Sequence, residues 1–235
     1  MYGSGFCFLR RAALAGLITA ANVHAQAPAS PVVQAVGDSV IFNGRIDAGS
    51  AAQFLRLLQD LTLTRLVITS RGGDVAAALD MALAIHERHL DVEVPTVCLS
   101  SCANYIFPAA GRKTLGRPGA VAWHGNMHHV LYLQQTGQAS WSASEMESAR
   151  QLARREAEFY SRIGVDGFVC WFGKLPPYNF EDFYSLSVQD MERFGIREVT
   201  VRENLPGQPQ NVEVTDIRVD WTQLEAIRPA VRLDL

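Results

Sequence analysis

Two adjacent glycines, two adjacent serines and a histidine stand where apolar strand-like runs of this 235-residue chain give way to turns or helices. Gly72-Gly73, in Ser70-Arg71-Gly72-Gly73-Asp74-Val75, follows an apolar run and precedes an alanine- and leucine-rich one. Glycine tolerates positive φ and close approach of a ligand. Such a turn can aim backbone amides outward at the carboxyl edge of a sheet, as half of an oxyanion hole. Taken alone, a Gly-Gly pair is also an ordinary strand-to-helix turn.

Here the pair has company. Ser100 and Ser101, in Val97-Cys98-Leu99-Ser100-Ser101-Cys102, fall at a strand end where the next helix begins. A hydroxyl there is a nucleophile candidate, with Ser101 the first choice and the Cys102 amide joining those of Gly72 and Gly73. A serine before a helix also serves as an N-cap. His124 closes the run Ala120-Val121-Ala122-Trp123 on the same edge. Its imidazole titrates near neutrality and suits a general base. His128 and His129 are rivals in a segment without clear period, and His86 and His89 read as helix surface. An orienting carboxylate would complete the set. Glu181 and Asp182 precede Phe183-Tyr184-Ser185, and either also fits as a helix-capping charge.

These residues need a scaffold, and the hydrophobic pattern supplies one. Val40 to Gly44 reads as a short strand. Phe54, Leu55, Leu58 and Leu61 share one helical face, Leu66 to Thr69 reads as a strand covered on both faces, and Val75 to His89 as a helix. Val94 to Leu99 and Ala120 to Trp123 are further strands, Cys102 to Ala110 a buried helix, and Glu145 to Arg162 a long amphipathic one. This alternation predicts an α/β fold with a largely parallel central sheet flanked by helices. Gly125 to Ser144 gives no clear signal. Beyond Val199 the pattern weakens to a loop and edge strands.

At the amino terminus, Arg10-Arg11, the apolar stretch Ala12 to Ala21 and the small-residue site before Gln26 read as a signal peptide, residues 1–25. A linker over 26–38, a domain over 39–199 and a C-terminal extension over 200–235 follow. Export makes a bacterial periplasm the expected compartment, and the mature chain carries no apolar stretch long enough for a membrane span. The formal charge of -3 is spread along the chain, which argues against nucleic acid and anionic membranes as partners. Neither a metal nor an organic cofactor is called for. The mature chain keeps Cys98, Cys102 and Cys170, so one bridge and one spare thiol are expected in an oxidising compartment. Cys98 with Cys102 would clamp the serine turn; Cys102 with Cys170 is the other pairing, and a Cys102 thiol nucleophile a minor third option.

Together, these segments resemble the Clp protease proteolytic subunit and crotonase superfamily, in its branch of periplasmic Clp-like proteins. Ile68-Thr69-Ser70-Arg71-Gly72-Gly73-Asp74-Val75 is similar to the family's Ile-Asn-Ser-Pro-Gly-Gly-Ser-Val, with Arg71 in place of proline. Ser101 to Gly111 resembles the nucleophile helix, and His124 matches the histidine ending the next strand. Asp182 before Phe183-Tyr184-Ser185 approximates the aspartate. The resemblance implies a ClpP/crotonase-like fold built from ββα units and a serine peptidase with Ser101, His124 and Asp182 as its triad. It also implies a peptide or protein substrate, and a homo-oligomer assembled through an insertion such as Met127 to Trp141. Two departures stand out. Ser101 is followed by Cys102-Ala103 instead of Met-Gly, and two residues are missing before the serine, which keeps Ser100 as an alternative nucleophile. A non-catalytic binding or assembly protein on the same fold is the rival reading. Crotonase-like chemistry on an acyl thioester is a third, against which export argues.

Overall fold

Apolar residues two apart along three short runs build the core face of the central sheet. Val40 and Phe42, Leu66 and Ile68, and Val92 and Val94 are each at most 1% exposed, while Ile41, Val67 and Glu93 between them stay partly open. That is the period-two signature of strands. The computed structural model describes residues 30–117, 119–203, 205–206 and 211–231, and the signal-peptide reading of residues 1–25 lies outside them. The strands are β1 (Val32–Val36), β2 (Ser39–Asn43), β3 (Arg65–Thr69), β4 (Asp91–Val94) and β5 (Val97–Leu99). They continue with β6 (Lys113–Arg117), β7 (Ala120–Ala122), β8 (Phe183–Leu186), β9 (Val199–Glu203) and β10 (Val214–Ile217).

A six-stranded sheet runs in the order β1-β2-β3-β4-β6-β9 and is parallel except for β1. Two short parallel ladders, β5 with β7 and β8 with β10, stand apart from it. Single bridges, Ser70 to Cys98 and Trp123 to Tyr184, tie them to the end of β3 and to each other. Helices α1 (Ala48–Leu57), α2 (Val75–Glu87), α3 (Phe107–Ala109), α4 (Met127–Gln135), α5 (Ala143–Ile163), α6 (Val188–Arg193) and α7 (Trp221–Ile227) complete a mixed α/β architecture with a mostly parallel central sheet. Local chemistry sets several of their ends. Asp47 and Ser50 form a capping box at α1, Ser142 and Glu145 another at α5, and Gly164 ends α5 in the left-handed region. Among the described residues no helix is long and apolar enough to cross a membrane.

Four expectations change on contact with the fold. Residues 32–36, assigned to a linker, form β1, because the Gly37-Asp38 turn folds them back on β2 and Val33 is buried there. The run Val94 to Leu99 is two strands in different ladders, since Pro95 has no N–H to offer a continuing sheet. β3 is fully covered on one face only: Val67 and Thr69 are partly exposed on the other. Instead of one helix, Cys102–Ile106 is a π-helical turn that runs into α3. The segment without a clear period contains α4, which packs Met127, Val130 and Trp141 around Leu131 and the Met146, Ala149 and Ala153 side of α5.

Candidate active site

β5 and β7 are parallel neighbours, so their carboxyl ends lie side by side and carry Ser100 and His124 to one edge. Ser100 N–H donates to the Ala122 carbonyl, 3.1 Å, which continues that pairing past the last strand residue. Ser100 then takes φ +55, an uncommon conformation for a residue with a side chain, and one that concentrates at functional turns. The disulfide between Cys98 and Cys102 closes around it. Through this turn the two serines face different ways. Ser100 Oγ lies 2.7 Å from His124 Nε2, whereas Ser101 is 3% exposed and its hydroxyl donates to the Gly73 carbonyl, 2.9 Å. Ser101 has no side-chain capping bond either. The serine beside the histidine is therefore Ser100, and Ser101 is a structural tie between the serine turn and the glycine turn.

The glycine turn abuts this pair. Gly72 has φ +85, and a Cβ built on it would sit 2.8 Å from both Ser100 Cβ and Ser101 N. At Gly73 a Cβ would meet the Ile46 carbonyl oxygen at 1.9 Å, so only glycine fits either position. The expected amide donors divide. Gly72 N–H donates to Ser70 Oγ, 3.1 Å, in a buried contact, and is already used. Gly73 N–H has no recorded acceptor among the described residues. With Ser100 as nucleophile, the following amide is that of Ser101 and not Cys102. The first amides of a helical segment lack partners within it, so Ser101 N–H is available with Gly73 N–H.

His124 is held from behind. Its ring lies 4.6 Å from that of Phe183, and Trp123 and Tyr184 exchange backbone hydrogen bonds of 2.9 and 3.0 Å. The following Gly125 donates to the Cys170 carbonyl, 2.8 Å, and accepts from Asn104 Nδ2, 2.9 Å. Glu156, fully buried on α5, then gathers the start of α4: it accepts from Met127 N–H, 3.1 Å, pairs with His128 Nδ1, 2.9 Å, and takes the Tyr105 hydroxyl of the π-turn. His128 is thus spent on this buried pair.

Asp182 does not reach the histidine. Its side chain is exposed, and among the described residues no carboxylate hydrogen-bonds His124. What comes near is a cation, Lys174, whose ammonium donates to the backbone carbonyls of Glu181 and Asp182, the latter at 2.9 Å. His124 keeps one edge open to water. The loss of water on its inner side, and then the Lys174 charge, lower its pKa below the ordinary value. His129 is pushed down to about 4 by burial, with Lys174 and His124 adding to it. Lys174 itself is lowered by burial, against the opposing pull of Asp182 and Glu181.

The Cys98–Cys102 bridge removes Cys102 from nucleophilic chemistry and excludes its pairing with Cys170. Cys170 is a free, buried thiol 3.0 Å from the Tyr160 hydroxyl, its pKa raised by burial. No group of three or more His, Cys, Asp or Glu side chains able to hold a metal occurs among the described residues. Neither a family model nor a curated protein matches this sequence.

What remains is an arrangement able to do acyl transfer: a hydroxyl on a strained turn, an imidazole in contact with it, and the Gly73 and Ser101 amides in the two adjoining turns. Lys174 was missed in the sequence because it stands in an aromatic stretch, Trp171-Phe172-Gly173-Lys174, with no motif around it. Its effect arises only once the 3-10 turns Gly167–Cys170 and Phe172–Lys174 bring the Lys174 charge near His124.

Proposed function

We propose that this chain is an exported serine hydrolase of the peptidase class, built on a ClpP/crotonase-like fold, with Ser100 as nucleophile and His124 as general base. The observation that carries the reading is the 2.7 Å contact of Ser100 Oγ with His124 Nε2 at a residue held at φ +55. In the tautomer with Nδ1 protonated, the hydroxyl donates to Nε2. As Oγ attacks a substrate carbonyl carbon, its proton passes to Nε2, and the carbonyl oxygen becomes an oxyanion facing Gly73 N–H and Ser101 N–H. The imidazolium then returns the proton to the departing amine or alcohol. Water, deprotonated by the same imidazole, hydrolyses the acyl-enzyme and regenerates Ser100.

Labelling with a fluorophosphonate probe tests the assignment. Wild-type protein and Ser101→Ala are labelled, the latter with a stability loss of about 1 kcal/mol from the missing hydrogen bond; Ser100→Ala and His124→Ala are not. Full labelling of Ser100→Ala removes Ser100 from the role.

A second reading is supported by one specific observation, the lack of a carboxylate on His124. Removing that group from a serine protease lowers kcat on the order of 10^4-fold, so a dyad with Lys174 nearby is a weak catalyst or a vestige. Wild-type protein that resists the probe at millimolar concentration would place the chain among non-catalytic binding proteins.

A further inference from the structure

In an open α/β sheet, ligands lodge beyond the carboxyl ends of the strands. Here that region, past β2 and β3, holds a cleft of about 450 Å³ lined by Gly44, Arg45, Thr69, Arg71 and Gly72 among others. Arg45 and Arg71 are the charged residues in its lining. Among the described residues, neither guanidinium takes part in a recorded ion pair or side-chain hydrogen bond, although seven other arginines form salt bridges. The nearby carboxylates are committed elsewhere. Asp47 accepts from Ser50 N–H, 2.8 Å, as the cap of α1, and Asp74 from Ala77 N–H, 2.8 Å, as the cap of α2. Arg45 is near enough to Asp47 to contribute to lowering its pKa, but as the weakest of several causes.

The cleft is also next to the chemistry. Gly72 forms part of its wall, and a Cβ on Gly72 would touch Ser100 Cβ at 2.8 Å. The two sites share that one glycine. Guanidinium groups suit carboxylates because their paired N–H donors match both oxygens.

We propose that this cleft is a substrate subsite in which Arg45 and Arg71 hold a carboxylate of the peptide, beside the bond that Ser100 attacks. The proposal rests on the hydrolase reading for the word substrate, but the binding it describes needs no chemistry. The carboxylate can come from an acidic side chain or from the free carboxyl terminus of the peptide.

The test is fluorescence anisotropy with the full chain carrying Ser100→Ala and three fluorescein-labelled hexapeptides. One contains glutamate and has an amidated carboxyl terminus, the second has glutamine in its place, and the third has glutamine with a free terminus. We expect the first or the third to bind about two- to fivefold more tightly than the second, which of the two does so identifying the source of the carboxylate. Adding Arg45→Gln and Arg71→Gln erases the preference. Arg56→Gln, an exposed charge on α1, leaves it intact. Equal affinity for all three peptides, a preference that survives the double substitution, or no binding at about 1 mM overturns the proposal. Failure of the wild-type protein to react with the fluorophosphonate, with the charge preference present, would sink hydrolysis and leave the subsite standing.

Discussion

Replacing Gly72 with alanine should damage both the stability of the protein and the reactivity of Ser100, by an amount that can be worked from the turn. Gly72 sits at φ +85, and the new Cβ would lie 2.6 Å from the Leu99 carbonyl oxygen and 2.8 Å from Ser101 N, both backbone atoms. A left-handed conformation costs a residue with a side chain about 1–2 kcal/mol. Relieving contacts that no rotamer can avoid adds roughly 1–3 kcal/mol, for a sum of about 2–5 kcal/mol. Against a total stability on the order of 5–15 kcal/mol the variant still folds, but the atoms that must move are those carrying Ser100 and the Ser101 amide. Gly137→Ala separates the two terms. Gly137 has φ +69 with nothing within 4 Å of a built Cβ, so it bears the conformational cost alone. Urea denaturation should rank Gly72→Ala well below Gly137→Ala, with a midpoint loss at least twice as large. Fluorophosphonate labelling should slow strongly in the first and stay at the wild-type rate in the second. Equal stability of the two variants, together with unimpaired labelling of Gly72→Ala, would refute the close packing of the glycine turn on the nucleophile.

The pH dependence of labelling reports on His124. The imidazole works as a base only when neutral, and its pKa is lowered by burial and then by Lys174, so the half-maximal rate should fall on the acid side of the ordinary histidine value of about 6.5. Lys174→Gln should move that midpoint upward; a downward move would show that Lys174 does not act on His124 through charge. His129 adds a stability term of definite sign. With a folded pKa of about 4 and an ordinary unfolded value, the unfolded chain binds the extra proton between the two. Stability contributed by His129 is therefore complete above the unfolded value and declines as pH falls toward 4, and urea titrations should show that this acid-side decline shrinks in His129→Gln. Removing the disulfide with Cys98→Ala and Cys102→Ala should lower stability by about 2 kcal/mol through loop closure and slow labelling of Ser100. Lost stability with an unchanged labelling rate would mean that the bridge does not shape the turn.

Much of this protein was legible in the chain because the signals involved are local. The order β2, α1, β3, α2, the β4-β5 run, β7 and α5 follows from hydrophobic period, whereas β1, β6 and α4 left no such signal. The glycine turn follows from Gly72-Gly73 standing between a strand and a helix. The positions of Ser100, Ser101 and His124 at strand ends were readable on the same grounds. Which serine faces the histidine was not. Adjacent side chains at a strand end differ in direction by the φ of one residue. That φ is set at Ser100 by two contacts from far away in sequence, Gly72 against its Cβ and the Ala122 carbonyl on its amide, together with the local Cys98–Cys102 bridge around it. The third position was beyond the sequence for the same reason. Asp182 precedes the right kind of segment, yet the fold uses its carbonyl, to hold Lys174, and leaves its carboxylate in solvent. Residue types and spacing determined which candidate groups the chain offers and the edge of the sheet on which they stand. Tertiary packing decided which hydroxyl, which amides and which charge meet there, because those choices depend on distances between segments that no local pattern encodes.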